Sequence, residues 1–180
     1  TVNGVISGTG GLTKAGTGTL TIGGTANNTF TGTLTVNGGT VLLNKTANLD
    51  SLAGALVIGD GVGTDTVRTL TANQLNGAAV TINSSGVLDL NGTSHDITTL
   101  TMTGGSITTG AGTLTLGGNV TGNANATAAT ISGNLALGAN RTFTIGDGAA
   151  ALDMDISAVV SGAFTVTKGG AGTMAFSGAN

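Results

Sequence analysis

The chain contains no cysteine, proline, tryptophan, tyrosine or glutamate, and only four phenylalanines in 180 residues. Without cysteine there is neither a disulfide framework nor a thiolate metal site. Five cations, Lys14, Lys45, Arg68, Arg141 and Lys168, lie scattered along the chain. Nucleic-acid binding draws on clustered Lys and Arg with stacking aromatics, so no nucleic-acid partner is expected. Charged residues make up 7% of the chain, against about 25% in ordinary soluble domains. The net charge is −3. No apolar run approaches the ~20 residues that a membrane helix needs. No basic start leads into an apolar stretch, so no signal peptide is readable. Membrane insertion by this segment is not expected.

What the chain has instead is glycine, at 34 positions, together with Thr, Asn and Ala. Such a composition suggests disorder, but disordered chains are poor in β-branched residues and low in hydropathy. Here the mean hydropathy is +0.36, and Val, Ile, Leu and Thr recur in short alternations. Thr19-Leu20-Thr21-Ile22, Val80-Thr81-Ile82, Val87-Leu88-Asp89-Leu90 and Thr142-Phe143-Thr144-Ile145 are examples. Period two sends the apolar members to one face of a strand and Thr to the other. Gly-Gly, Asn-Gly and Gly-Asp-Gly spacers tolerate positive φ and mark corners. The best helical candidate, Asn123–Thr130, has no apolar stripe. The pattern predicts strands of three to five residues arriving about every ten residues.

Internal repeats choose among all-β architectures. With a shift of 154, Val5–Ala26 overlies Val159–Asn180 with nine identities in 22 positions, Lys14/Lys168 among them. The phrase Gly16–Gly24 is echoed at Gly110–Gly118 and again from Gly170. The expected organisation is one module of about 154 residues, 5–158, followed by the start of a second copy, 159–180. Similar local units recurring in this way fit a right-handed parallel β-helix, a single-stranded solenoid. Each strand then pairs with its equivalent one coil away, and aliphatic side chains fill a narrow interior. At ~20 residues per coil the chain would make roughly nine coils spanning about 40 Å.

The inward set is expected to be Leu12, Leu20, Ile22, Leu34, Val36, Val41, Leu43, Leu56, Ile58, Leu70, Val80, Ile82, Leu88, Leu90, Leu100, Ile107, Leu114, Leu116, Ile131, Leu135, Leu137, Phe143, Ile145, Leu152, Met154, Val166, Met174 and Phe176. Corner asparagines such as Asn37, Asn83 and Asn91 are placed to bond the backbone of neighbouring coils, as Asn ladders do. End coils leave open sheet edges.

Gly18 to Asn44 reads GTLTIGGTANNTFTGTLTVNGGTVLLN. This stretch resembles the passenger-associated transport repeat of bacterial autotransporters. The matching residues are Gly18, Thr19, Leu20, Thr21, Gly24, Asn27 or Asn28, Thr31, Gly32, Val36, Gly39 and Val41 or Leu42, with Phe30 where that family usually has Tyr. Gly172–Asn180 resembles the opening of a second copy. The resemblance implies a β-helical passenger exported through an outer-membrane barrel, and hence an extracellular or outer-surface location.

Candidate sites are few. Asp153 and Asp155 flank Met154, so period two puts both carboxylates on one face near 7 Å apart. A polysaccharide-cleaving site could use such a pair, but a solvated strand face is the expected reading. Gly59–Asp65 offers two carboxylates to a calcium ion, yet it is a single imperfect copy of a motif that works in tandem, so it reads as a turn. Gly146-Asp147-Gly148 reads the same way. His95, the only histidine, has no partners for a metal site and reads as a surface residue in the Gly92–Asp96 turn. Seven N-x-[ST] sites, at Asn27, Asn44, Asn83, Asn91, Asn119, Asn125 and Asn140, read as corners.

Thr-x-Thr pairs at Thr19, Thr33, Thr69, Thr99, Thr113, Thr142 and Thr165 would bind ice only if one pair per coil stood in register, and their separations look too irregular. No catalytic, cofactor or metal residue is assigned. The expected role is structural or adhesive. Expected partners are neighbouring copies of the module end to end, and surface glycans or proteins of a host or matrix.

Overall fold

The computed structural model describes residues 1–75 and 77–179. Asn180, the last residue of the 154-shift match, lies outside the described residues. The described residues form seventeen strands and no helix: β1 (Leu12–Ala15), β2 (Thr19–Gly24), β3 (Leu34–Asn37), β4 (Gly39–Lys45), β5 (Leu56–Ile58), β6 (Asp65–Thr69), β7 (Ala78–Ile82), β8 (Gly86–Asp89), β9 (His95–Met102), β10 (Ser106–Leu116), β11 (Val120–Gly122), β12 (Ala129–Leu137), β13 (Arg141–Ile145), β14 (Met154–Ile156), β15 (Val159–Ser161), β16 (Val166–Gly169) and β17 (Met174–Phe176).

The named strand pairings are all parallel, and each joins one coil to the next. The chain is thus a parallel β-solenoid of about eight turns. A first wall runs through β1, β3, β5, β7, β9, β11, β13 and β16. A second runs through β2, β4, β6, β8, β10, β12, β14 and β17. A third regular wall develops in the later coils, where the start of β9, the ends of β10 and β12, and β15 stack.

Partners on the first wall, Leu12, Leu34, Leu56, Val80, Leu100, Val120 and Phe143, stand 22, 22, 24, 20, 20 and 23 residues apart. Most coils are therefore longer than the expected ~20 residues, and there are about eight instead of nine. Several strands also exceed the expected five residues, with β9 at 8, β10 at 11 and β12 at 9. These long strands run around a corner instead of stopping at it. In β10 the register shifts between Thr108 and Thr113, and Gly110 turns there with φ +61°.

Tight corners elsewhere depend on glycine. Gly39 has φ +69°, and a Cβ on it would fall on backbone oxygens of the Gly16–Gly18 corner one coil below. Any other residue would be strained and obstructed there.

The core is the expected aliphatic column. Ile22, Leu34, Val36, Val41, Leu43, Leu56, Ile58, Ile82, Leu88, Ile107, Leu114, Ile131, Leu135 and Ile145 are fully buried. Phe30, Leu52, Val67, Leu75, Ala78, Ile97, Met102, Val120, Ala129, Ile156 and Ala158 join them, although the alternation left them unassigned. Seven expected members differ, among them Leu20, Val166 and Met174, which pack on the core only partly buried. Phe176 is 39% exposed at the end of the column, and Leu70 and Leu152 sit half-buried at corners. Leu12 is only half-buried because it belongs to the first coil and still packs on the core.

Asn83 bonds the preceding coil as expected of a neighbour, its Nδ2 donating to the Gly59 oxygen at 2.6 Å. Asn91 instead accepts from Arg68. No helix of the described residues is long and apolar enough to cross a membrane.

Each coil touches mainly the coils above and below, so a cavity in the column cannot be filled from elsewhere. Leu100→Ala, in the middle coils, should cost about 2–5 kcal/mol, read as a drop in the urea midpoint at unchanged slope.

Candidate functional site

The outward positions of the first wall form one continuous strip. The rank just after the buried column is Thr13, Thr35, Val57, Thr81, Thr101, Thr121, Thr144 and Gly169. The rank just before it includes Thr33, Ala55, Ala79, Thr99, Asn119, Thr142 and Thr167. None of these residues is charged. Rungs ~4.8 Å apart make the strip about 34 Å long over seven spacings. Thr suits it for two reasons: its branched side chain fits a pleated surface, and its hydroxyl both donates and accepts.

The irregular separations of the Thr-x-Thr pairs hid this rank, because corner lengths vary while the strands stay in register. Both ranks carry Thr only at Thr33/Thr35, Thr99/Thr101 and Thr142/Thr144. The pairs starting at Thr19, Thr69 and Thr113 belong to other walls, and Thr69 is buried. The strip is therefore a hydroxyl-rich uncharged face and not an unbroken double array of Thr.

Lys14, Arg141 and Lys168 border these ranks on β1, β13 and β16. On the second wall Arg68 Nε stands 3.4 Å from Asp89 Oδ2 in an exposed pair, a type of contact that adds little stability.

His95 is not a surface turn residue. It begins β9 and is 2% exposed, and it ends a buried polar run that crosses several coils at one corner. Asn28 Oδ1 accepts from Ile6 N at 2.9 Å, while its Nδ2 donates to Ser51 O at 2.7 Å. Ser51 Oγ donates to Gln74 Oε1 at 2.7 Å, and Lys45 N donates to the same oxygen at 2.9 Å. Gln74 N donates to His95 Nδ1 at 3.1 Å.

An accepting Nδ1 places the imidazole proton on Nε2, which then donates to Thr93 Oγ1, 2.9 Å away. The Thr93 hydroxyl passes its hydrogen to Leu90 O at 2.7 Å. Burial pushes the His95 pKa down to about 4. Burial also lowers that of Lys45, whose ammonium donates to Gly23 O. From residue 95 onward the stack turns apolar, as His95, Leu114, Leu135 and Val160 follow in register.

Asp153 and Asp155 do not form an exposed pair. Asp153 is buried at the corner before β14. Its Oδ2 accepts from Thr173 N at 2.8 Å and Thr173 Oγ1 at 3.1 Å, and its Oδ1 accepts from Gly148 N at 2.7 Å. The Thr173 and Gly148 N–H groups hold its pKa below the usual carboxylate range. Asp155 instead accepts from Ser177 Oγ at 2.6 Å. A carboxylate spent on three local donors is poorly suited to proton transfer to a substrate.

The Gly59–Asp65 loop uses the same device. Asp65, five residues after Asp60, turns inward and accepts from Ser85 Oγ at 2.5 Å and Asp60 N at 3.3 Å. Asp60 itself caps Val62 N at 2.9 Å. Among the described residues no three His or acidic side chains converge as a metal site would require.

The fold and this surface define a parallel β-solenoid with a hydroxyl-bearing side. Comparison with known proteins narrows that class. The chain is 37% identical over 91 residues to the Adhesin BmaC autotransporter of Brucella suis biovar 1 (strain 1330). The match covers 49% of this chain and 3% of the Brucella protein. The resemblance carried by Gly18–Asn44 thus agrees with an autotransporter relative and with a solenoid fold. No family model matches the chain, and no solved structure matches it.

The buried histidine makes a signed prediction. Its folded pKa of about 4 lies below the ordinary 6.5, so the unfolded chain binds the extra proton between those values. The His95 contribution should be complete above about pH 7 and fall by about 3 kcal/mol as the pH drops through 6.5 toward 4. Urea melts across that range measure it, and His95→Gln should flatten this portion of the profile.

Proposed function

We propose that the chain is a structural and adhesive segment of a bacterial extracellular or cell-surface passenger. In this reading the solenoid is a stiff spacer, and its Thr-rich first wall meets surface glycans or proteins of a host or matrix. The observation that carries the reading is the uncharged rank of outward Thr, held in register by the parallel ladder. The Brucella adhesin supports it as a relative named for adhesion, and the chain corresponds to a small fraction of that protein. A catalytic role draws no support from Asp153, whose oxygens are already bonded within its own corner.

A strip of hydroxyls on rigid strands can bond a ligand without ordering loops, which removes part of the entropic cost of association. With no charge on the strip, salt should matter little. The test is binding of the purified chain to immobilised host glycans and matrix proteins. The expected result is binding that changes less than about twofold between 50 and 500 mM salt.

The double substitution Thr99→Glu/Thr121→Glu places charge on two exposed rungs. It should lower binding at least tenfold while moving the thermal midpoint by less than about 2 °C. Unchanged binding by that variant, or compact particles instead of rods in electron micrographs, would overturn the reading.

A further inference from the structure

Two Gly-Asp-Gly turns leave the first wall at the same place. One follows Ile58 and the other, four coils later, follows Ile145, and both isoleucines stand in one buried column. Each turn leads to a buried aspartate that reaches back to it, Asp65 to Asp60 N and Asp153 to Gly148 N. The two carboxylates are satisfied differently. Asp153 has donors on both oxygens, because Thr173 of the next coil brings an N–H and a hydroxyl to Oδ2 while Gly148 N serves Oδ1. At Asp65 the next coil brings the Ser85 hydroxyl, and both donors, Ser85 Oγ and Asp60 N, meet Oδ2. Asp65 Oδ1 is buried with no hydrogen-bond partner among the described residues.

An anionic oxygen buried without a donor or a cation is costly. No Lys or Arg pairs with Asp60 or Asp65 among the described residues, since Arg68 engages Asp89. We propose that Gly59–Asp65 is a calcium site, with Asp65 Oδ1 as its inner ligand and the Asp60 carboxylate as its outer one.

The loop is arranged for this. Asp60 N stands 3.3 Å from Asp65 Oδ2, so the turn folds back onto the Asp65 carboxylate, and Oδ1 on the same carbon faces the turn with it. Asp60 gives one oxygen to Val62 N at 2.9 Å, and no hydrogen bond among the described residues takes the other. Residues 60–64 are exposed. A Cβ at Gly63 would meet nothing within 4 Å, and one at Gly61 would meet Ser84 Oγ at 3.7 Å. The backbone carbonyls of 60–64, with water, therefore have room to complete a shell.

The donors are oxygens throughout, without sulfur or imidazole, which selects a hard cation. Calcium accepts about six to eight oxygens in irregular geometry, many of them carbonyls and waters. It can thus do without the three converging acids of a tight metal centre. Magnesium demands a compact octahedron and gives up water reluctantly. Two carboxylates place the affinity in the range of extracellular modules, about 0.1–1 mM. Ser85 Oγ also accepts from Gly61 N at 2.9 Å, so an ion here would tie the turn after β5, the start of β6 and the next coil into one unit.

The site lies at a corner and not on the Thr-rich wall, so failure of the adhesion test leaves it standing. The experiment titrates the full chain, stripped with EDTA, with calcium chloride at constant ionic strength. Calorimetry should give one saturable site per chain, half-filled at about 0.1–1 mM. At about 5 mM calcium, amide hydrogen exchange in residues 60–65 should slow at least about fivefold. The same concentration of magnesium should slow it less than about twofold.

Asp60→Asn changes an exposed side chain and should abolish binding while leaving the calcium-free melting midpoint unchanged. Asp65→Asn should abolish binding too, and should it fail to fold, Asp60→Asn decides alone. Asp147→Asn, in the turn whose aspartate is already satisfied, should bind calcium as the parent does. No saturable binding, equal protection by magnesium, binding that survives Asp60→Asn, or binding lost in Asp147→Asn would each overturn the proposal.

Discussion

Everything in this molecule depends on backbone hydrogen bonds that run along the long axis. Parallel pairing fixes each strand over its equivalent, and that stacking leaves an interior only a few side chains across. A narrow interior admits aliphatic residues in alternation and little else. It explains the shortage of aromatics and the burial of Phe30 and Phe143 at sites where neighbouring coils leave room. Because cohesion is between successive coils, the fold needs no distant closure, and corner lengths can vary by several residues without disturbing the walls.

The walls were legible in the sequence because their signal is local. Leu34-Thr35-Val36 or Thr142-Phe143-Thr144-Ile145 announces a strand and its inward face without reference to any partner. The corners were not legible, because their logic is between coils. His95 beside Asp96 in a polar stretch reads as surface, and only its hydrogen bonds to Gln74 one coil away and to Thr93 let it lie inside. Asp153 reads as half of an alternating pair, yet the Gly148 and Thr173 amides that claim it are brought there by a corner and by the next coil. Lys45 is buried for a similar reason, since its ammonium finds the Gly23 carbonyl one coil away. The Thr rank failed to show for the complementary reason: a one-dimensional spacing rule assumes equal coils, and these coils differ by up to four residues on the first wall.

The two halves of the solenoid solve the third side differently. In the early coils a chain of amides, hydroxyls and one imidazole crosses the interior of the corner, each donor meeting an acceptor. In the later coils Leu114, Leu135 and Val160 take over the stack. Polar runs of this kind fix which coil lies over which, since a slipped coil would strand a buried donor. The aliphatic stack adds area but discriminates less between registers. Specific register in the first half and bulk cohesion in the second together keep the outer hydroxyl ranks aligned from coil to coil.

The near independence of coils from distant coils also sets how such a rod responds to being pulled. Tension applied at one end loads a single rung of parallel bonds at a time, so the rod should peel instead of bursting. Each coil of about 22 residues would pay out roughly 70 Å of slack while the remainder keeps its shape. A tether built this way lengthens in steps under shear and leaves the part nearest the opposite end still folded.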